Sequence, residues 1–327
     1  MNEQILRAHY EKRGFSEQLA QEAVASVQAL EHRLVSRGAS LETAAVDDIR
    51  AYIQTLIESG TNTEEALLAL ARYFYLTGRN EIYVYFTSLL GGAGVVESIA
   101  ERLAGLEGRE TADALVGSVL KPPLGSDPEA FPAFTRALMQ RLENNLPEKT
   151  VRRALAGNHH QIPAAAFDEE KERYQNSASM DEYLAAHHAR QVAELQRHCD
   201  TNTVWYEQII TQEVVDFVSA NQEIQSAVCK GDTLYTTKIP YDPARYLAET
   251  DPVKKRYYAC HCPFVREAIL RGEPDVSENW CYCSGGFVKY PYEVLLGREL
   301  RVELLQSALK GDPVCRFAIH LGSTMEE

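Results

Sequence analysis

The fold class is decided by residues 301–321, which read RVELLQSALKGDPVCRFAIHL. Arg301–Leu309 and Val314–Leu321 are two strand-like runs, and the turn Lys310–Pro313 separates them. Alternation along the second run places Cys315 on its apolar face, which predicts a packing role for this cysteine. The stretch therefore predicts a C-terminal β-hairpin, and with it a sheet.

The rest of the C-terminal half mixes helix and strand patterns. Residues 234–239, LYTTKI, read as a strand that follows a Gly-Asp turn, and residues 180–225 read as two long amphipathic helices. We therefore expect residues 164–327 to form an α+β domain in which helices cover an antiparallel sheet.

The first half of the chain has the periodicity of short helices. Apolar side chains recur at helical spacing through residues 19–34, 49–57 and 67–74, and a glycine follows each run. Thr63 is followed by two glutamates, which is typical of a helix N-terminus. These patterns predict an all-helical domain over residues 1–163.

The composition is typical of a folded globular protein and argues against two classes of partner. Of 327 residues, 45% are hydrophobic and 24% are charged, and the formal net charge is −14. An acidic chain lacks the electrostatic footprint of nucleic-acid binding and is repelled by anionic lipid headgroups. The chain has no apolar run of about 18 residues, and MNEQILRAHYEKRGF lacks the apolar segment of a secretory signal. We therefore expect a cytoplasmic protein that contacts neither membranes nor nucleic acid.

Four of the seven cysteines lie within residues 256–288, RYYACHCPFVREAILRGEPDVSENWCYCSGGFV, as two Cys-x-Cys pairs. In a reducing compartment such cysteines act as metal ligands or catalysts more often than they form disulfides. If both segments are extended, the two members of each pair share one strand face. Two paired sets of thiols can close a tetrahedral zinc site, so zinc is the predicted cofactor. The predicted ligands are Cys260, Cys262, Cys281 and Cys283.

The same cysteines support a second prediction, a reactive thiolate. Pro263 suits the first position of a helix over 264–270, so Cys262 would be its N-cap, where free N–H groups and the helix dipole lower a thiol pKa. Cys283 precedes Ser284–Gly286, whose backbone would form an anion-binding nest. A third interpretation is that all four cysteines pack as small buried residues. The candidate acid–base or substrate-orienting side chains are His261, Arg266 and Glu267.

Three phrases of the C-terminal half carry a resemblance: CHCPFVREAI (260–269), NWCYCSGGF (279–287) and LRVELLQSALKGDPVCRFAIHL (300–321). They resemble the C-terminal part of aminothiazoline-carboxylate hydrolase-like proteins, 4-vinyl-reductase-type small-molecule-binding domains, and a cysteine-rich bacterial family without an assigned activity. The resemblance implies a small-molecule pocket beside a cysteine-rich zinc site. Residues 9–80 are similar in helix pattern to the core-binding domain of phage-type integrases, which would imply DNA contact; the acidic charge argues against it.

These patterns leave two functions open and disfavour a third, DNA binding through the N-terminal helices. The first is a metal- or thiolate-dependent, hydrolase-like enzyme that acts on a carbon–nitrogen or carbon–sulfur bond of a small molecule, with Cys262 or Cys283 as nucleophile. The second is a small-molecule or metal sensor with a structural four-cysteine zinc site. We favour the enzyme and leave homo-oligomerisation open. His261 is its weaker acid–base candidate, because strand alternation points it away from the thiols.

Overall fold

The computed structural model describes residues 1–272 and 275–322. A mostly helical N-terminal region is followed by a C-terminal α+β region with a four-stranded antiparallel sheet, which confirms the predicted fold class. In chain order the α-helices of the described residues are α1 (Glu3–Lys12), α2 (Glu17–Val35), α3 (Val46–Ser59), α4 (Glu64–Leu76), α5 (Asn80–Leu90), α6 (Val95–Glu107), α7 (Arg109–Leu115), α8 (Phe131–Asn145), α9 (Glu148–Leu155), α10 (Asp168–Gln175), α11 (Met180–Thr201), α12 (Gln212–Ser219), α13 (Pro243–Ala248), α14 (Pro252–Ala259), α15 (Arg266–Arg271) and α16 (Tyr282–Leu296).

The sheet has the strand order β1-β2-β4-β3, and all neighbours are antiparallel. Its strands are β1 (Val228–Lys230), β2 (Thr233–Thr237), β3 (Arg301–Gln306) and β4 (Arg316–His320). β3 and β4 form the predicted hairpin, with a short 3-10 helix, Ala308–Lys310, in their connection. β4, which alternation predicted, is an inner strand of the sheet. Its Phe317 and Ile319 side chains are fully buried.

Helix ends follow the capping signals of the sequence. Thr63 accepts a hydrogen bond from the Ala66 backbone N–H at 3.2 Å and begins α4, as predicted. Gly60 (φ 68°) ends α3 and Gly297 (φ 67°) ends α16, both in the left-handed conformation that glycine adopts without strain. Local backbone chemistry therefore accounts for these boundaries.

The described chain divides into two compact units. The first combines residues 1–93 with 121–130, and the second combines residues 94–120 with the chain from Phe131 onward. We expected the division at residue 163. Helices α6, α8 and α9 instead group with the sheet, because their apolar side chains share one core with the strands.

The segment between α11 and α12 departs from the predicted pair of long helices. α12 covers only Gln212–Ser219, and Trp205 and Gln208 close a tight turn through backbone hydrogen bonds of 2.9 and 2.8 Å. Tyr206 has φ 51° within this turn, outside the helical region, and its ring is exposed. The apolar residues at helical spacing therefore lie partly in a turn, which also carries Glu207.

One described stretch, the 28 residues Asn80–Glu107, is long and apolar enough to cross a membrane by length and composition alone. Residues 91–94 interrupt it as a turn between α5 and α6, and Gly94 has φ 70°. Core helices of globular proteins have the same length and hydropathy. The stretch therefore carries no conclusion about membranes.

Candidate functional site

Helices lead into both cysteine pairs where the sequence predicted strands, and residues 260–262 form an irregular segment. α14 runs through Ala259, so Cys260 is the residue that ends it, and a 3-10 helix, Glu278–Cys281, leads directly into α16. The strand conformation predicted for both cysteine pairs is therefore wrong. The cause of α14 lies upstream: Asp251 accepts hydrogen bonds from two backbone N–H groups at 2.8 and 3.0 Å, and a proline follows at the first helical position.

Two further backbone predictions are also wrong. α15 begins at Arg266 and not directly after Pro263, so Cys262 is not a helix N-cap. Ser284–Gly286 lie inside α16, so their backbone has helical hydrogen bonding and not the predicted nest. A Cβ built on Gly286 would lie 2.2 Å from the Gly157 carbonyl oxygen. The glycine therefore permits close packing of two backbones.

The four cysteines predicted as zinc ligands do not form a metal-binding group. Within residues 1–272 and 275–322, no three His, Cys, Asp or Glu side chains are arranged to hold a metal ion, and all seven cysteines are free thiols. Cys281 Sγ lies 3.3 Å from the Ser307 hydroxyl, and Cys262 Sγ accepts a hydrogen bond from the Trp280 indole. The donor set gives zinc no structural support, so zinc stays a prediction from the sequence.

Several buried cysteines lie close enough to act on one another electrostatically. Burial raises the pKa of Cys260 and of Cys281, and the nearby Cys315 thiol adds a smaller effect in the same direction. Burial raises the pKa of Cys283 to about 12, and Cys262 adds to that effect. These cysteines are neutral thiols at neutral pH. Cys315, which the sequence placed on the packed face of the hairpin, is buried among them.

Cys262 differs from these cysteines in the number of groups that oppose the effect of burial on its pKa. The Trp280 Nε1–H donates to Cys262 Sγ at 3.2 Å. Burial raises the pKa of Cys262, whereas the Trp280 donor lowers it. The Lys238 charge and the backbone N–H groups of Phe264 and Val265 also lower this pKa. Burial outweighs these groups, so the pKa of Cys262 is raised overall, but among the buried cysteines of this stretch it has the most groups that favour the thiolate.

His261 is held in one tautomer by the segment after β2. Its Nε2–H donates to the Ile239 carbonyl oxygen at 2.6 Å, so the neutral ring has its lone pair on Nδ1. This Nδ1 lies 3.9 Å from Glu207 Oε1, and the ring packs edge-on against Tyr241 with centroids 5.6 Å apart. Burial and the Lys238 charge hold the pKa of His261 well below its usual range. The ring is therefore neutral with a free Nδ1 lone pair, and its lowered pKa makes it a weak base.

Two residues that the sequence did not single out complete the surroundings of His261. Glu207 comes from the turn before α12, and burial raises the pKa of its carboxyl against the opposing charges of Lys238 and Arg266. Lys238 follows β2, and its Nζ lies 5.0 Å from the centre of the Phe287 ring. The sequence marks Lys238 only by its position near the end of a predicted strand. No feature of the sequence marks Glu207.

Arg266 and Glu267, the other predicted site residues, have separate surroundings. The Arg266 side chain is 5% exposed, and its guanidinium carbon lies 4.2 Å from the centre of the Tyr241 ring and 5.2 Å from that of Tyr257. Its charge also lowers the pKa of His261, so the structure brings these two predicted residues together. Glu267 instead accepts a hydrogen bond from the Tyr257 hydroxyl at 2.9 Å.

No curated protein and no solved structure matches the chain. The resemblances to hydrolase-like proteins, 4-vinyl-reductase-type domains and integrases therefore stay predictions. One family matches part of the second unit, over a range that contains the four strands, Cys262 and Arg266. Residues 212–325 are similar to DUF6144, a family of unknown function.

Proposed function

We propose that this protein is a thiol-dependent enzyme that hydrolyses a carbon–nitrogen or carbon–sulfur bond of a small molecule, with Cys262 as nucleophile. One observation carries the proposal: the Trp280 N–H donates to Cys262 Sγ at 3.2 Å, and two backbone N–H groups add to it. A neutral thiol gains little from such donors, whereas sulfur that bears negative charge gains charge-assisted hydrogen bonds. Cys283 has less support as nucleophile, because burial raises its pKa to about 12.

In the proposed reaction the Cys262 sulfur forms a bond to an electrophilic carbon of the substrate, and the thiol proton passes to a base. The electron pair of the cleaved carbon–nitrogen or carbon–sulfur bond leaves with the nitrogen or sulfur, which takes up a proton. Water then adds to the carbon that is bound to Cys262 and leaves its hydroxyl there. The carbon–sulfur bond to the enzyme breaks, and the remaining proton of that water restores the thiol.

His261 and Glu207 suit the proton transfers of this reaction. His261 is neutral and presents its Nδ1 lone pair toward Glu207 at 3.9 Å, so we assign it the role of base. Burial raises the pKa of Glu207 and favours its protonated form, so we assign it the protonation of the leaving group. Arg266 is assigned to substrate orientation, and Glu267 receives no role.

Alkylation of the full chain with iodoacetamide at neutral pH, mapped by mass spectrometry, tests the assignment of the nucleophile. We expect Cys262 to be labelled before the other cysteines of residues 256–288, and slow, uniform labelling would count against the proposal. Hydrolysis is followed as ammonia or thiol released from a panel of small amides, amidines and thioesters. Cys262→Ser should remain folded and inactive, whereas the matched variant Cys283→Ser should retain activity.

A second candidate is a small-molecule-binding protein or sensor in which the cysteines are structural. The raised pKa values of Cys260, Cys262, Cys281 and Cys283 favour it, because neutral buried thiols pack as small apolar groups. Its zinc-bound version predicts about one zinc per chain by elemental analysis and unfolding of the second unit in Cys281→Ser. A folded, metal-free protein would exclude that version. Both candidates are cytoplasmic proteins with a small-molecule partner.

A further inference from the structure

Arg266 is a buried guanidinium without an anionic partner. Its side chain is 5% exposed, its Nε has no hydrogen-bond partner, and no salt bridge among residues 1–272 and 275–322 includes it. The ring faces of Tyr241 and Tyr257 flank the charge at 4.2 and 5.2 Å. Stacking on ring faces leaves the N–H edge of a guanidinium available. Buried charges in proteins are otherwise paired or bound to a ligand.

Two more polar atoms in the same neighbourhood lack partners. Gln208 Oε1 is buried without a hydrogen bond, although Gln208 Nε2 donates to the Pro240 carbonyl oxygen at 2.8 Å. The buried Tyr241 hydroxyl makes no hydrogen bond of normal geometry, and the nearby Arg266 guanidinium, itself a donor, lowers its pKa and leaves the O–H proton without an acceptor. The Tyr241 ring contacts both His261 and the Arg266 guanidinium. Buried polar groups nearly always have partners. Partnerless donors and an acceptor on neighbouring residues therefore indicate a ligand that the chain itself does not supply.

The charges around these atoms indicate the class of that ligand. Arg266 and Lys238 both act on the pKa values of His261 and Glu207, so the two cations share one neighbourhood. Glu207 is the one carboxyl group that acts against the two cations, so the neighbourhood keeps an excess of at least one positive charge. The N–H edge of a guanidinium fits the paired oxygens of a carboxylate or a phosphate. The Tyr241 hydroxyl adds a further donor.

We propose that Arg266, Lys238 and Tyr241 bind an oxyanion, the carboxylate or phosphate group of a small molecule. Gln208 Oε1 accepts a hydrogen bond from an N–H or O–H group beside that oxyanion. The identification of this molecule as the substrate of Cys262 rests on the proposed function. Binding of the oxyanion does not, because none of the three residues that hold it needs the thiol.

Binding of two simple probes to the full chain tests the oxyanion site. Formate is followed by saturation-transfer NMR and inorganic phosphate by phosphorus line broadening, both at constant ionic strength in chloride. We expect at least one probe to bind, and the probe that binds identifies the oxyanion as carboxylate or phosphate. Arg266→Gln should weaken binding by about tenfold or more. Arg245→Gln removes the same charge from an exposed arginine and should leave binding unchanged.

Tyr241→Phe decides the test if Arg266→Gln fails to fold. It removes a hydroxyl that makes no hydrogen bond of normal geometry in the fold, so the protein should stay folded while affinity falls severalfold. Absence of binding by both probes, or wild-type binding by the folded variants, would overturn the oxyanion site. Cys262→Ser separates the two proposals. If this variant binds the probes normally while Cys262 proves unreactive in the wild type, the result supports the oxyanion site and contradicts the assignment of Cys262 as nucleophile.

Discussion

Replacing Trp280 by phenylalanine would remove one donor from Cys262 and keep an aromatic ring in the core. Trp280 is fully buried and packs edge-on against Phe264 with ring centroids 5.2 Å apart. Its Nε1–H is the side-chain donor to Cys262 Sγ. Trp280→Phe should therefore lower the reactivity of Cys262 more than that of any other cysteine.

The size of this effect follows from the single hydrogen bond of 3.2 Å. A hydrogen bond to a charged group contributes about 1.5–3 kcal/mol, and we take the lower end because sulfur is a weak acceptor. A loss of about 1.5 kcal/mol from the thiolate alone raises the pKa of Cys262 further and lowers the thiolate fraction about tenfold. Alkylation proceeds through the thiolate, so its rate at neutral pH should fall about tenfold.

The assay is the rate of Cys262 alkylation by iodoacetamide at several pH values, resolved from Cys260 by fragmentation of the shared peptide. Phe264→Leu is the matched control, because it disturbs packing on the same ring and keeps the indole donor. Greater opening of the core would raise the rate in both variants, so a fall confined to Trp280→Phe is diagnostic. An unchanged rate in that variant, or an equal fall in the control, would refute the reasoning.

Three further predictions concern the stability of the second unit. Gly286→Ala should lower the free energy of unfolding by about 1–3 kcal/mol in urea, because its Cβ would overlap the Gly157 carbonyl oxygen at 2.2 Å; an unchanged midpoint would contradict this contact. Lys289→Met leaves the Glu293 carboxylate, one turn later in α16, without its cation. The free energy of unfolding should fall by about 3 kcal/mol in the same assay, whereas a rise would mean that the ion pair is dispensable for stability. The hydrogen bond from Arg316 holds the pKa of Glu223 below its usual 4.5, so the pair stabilises the fold fully above that pH and loses its contribution as the pH falls through the lowered pKa. Glu223→Gln should flatten the acid side of the plot of Tm against pH, and a curve parallel to that of the wild type would contradict this explanation.

The hairpin over residues 301–321 could be predicted because its signals are local. Alternation with a period of two and a short turn rich in Gly, Asp and Pro leave few other structures open. The start of α4 at Thr63 was predictable for the same reason, since an N-cap and the first helical turn are neighbours in sequence. Strand alternation failed at the cysteine pairs. Cys-x-Cys fits a strand or a helix end equally well, and the cap at Asp251 that begins α14 lies outside the motif.

The composition of the candidate site was only partly predictable. His261, Cys262 and Arg266 stand out because they belong to a dense motif. Glu207 and Lys238 reach His261 from two separate earlier segments, and only the packing of the second unit brings them together. A helical interpretation of the segment that holds Glu207 hid it, because the backbone pairing of its neighbours produces a turn there. Side chains that meet through tertiary contacts leave no spacing pattern in a single sequence.

The strand order β1-β2-β4-β3 also has a consequence for biosynthesis. β2 pairs along one side with β1, but its other partner is β4, and Thr233 and His320, paired across that ladder, are 87 residues apart. On the ribosome, β2 therefore emerges long before β4 does. During that interval β2 can pair only with β1, and an isolated two-stranded hairpin is marginally stable in water. A nascent chain that stalls before β4 would present an open strand edge to other chains, which makes the late arrival of the hairpin a point of vulnerability to aggregation.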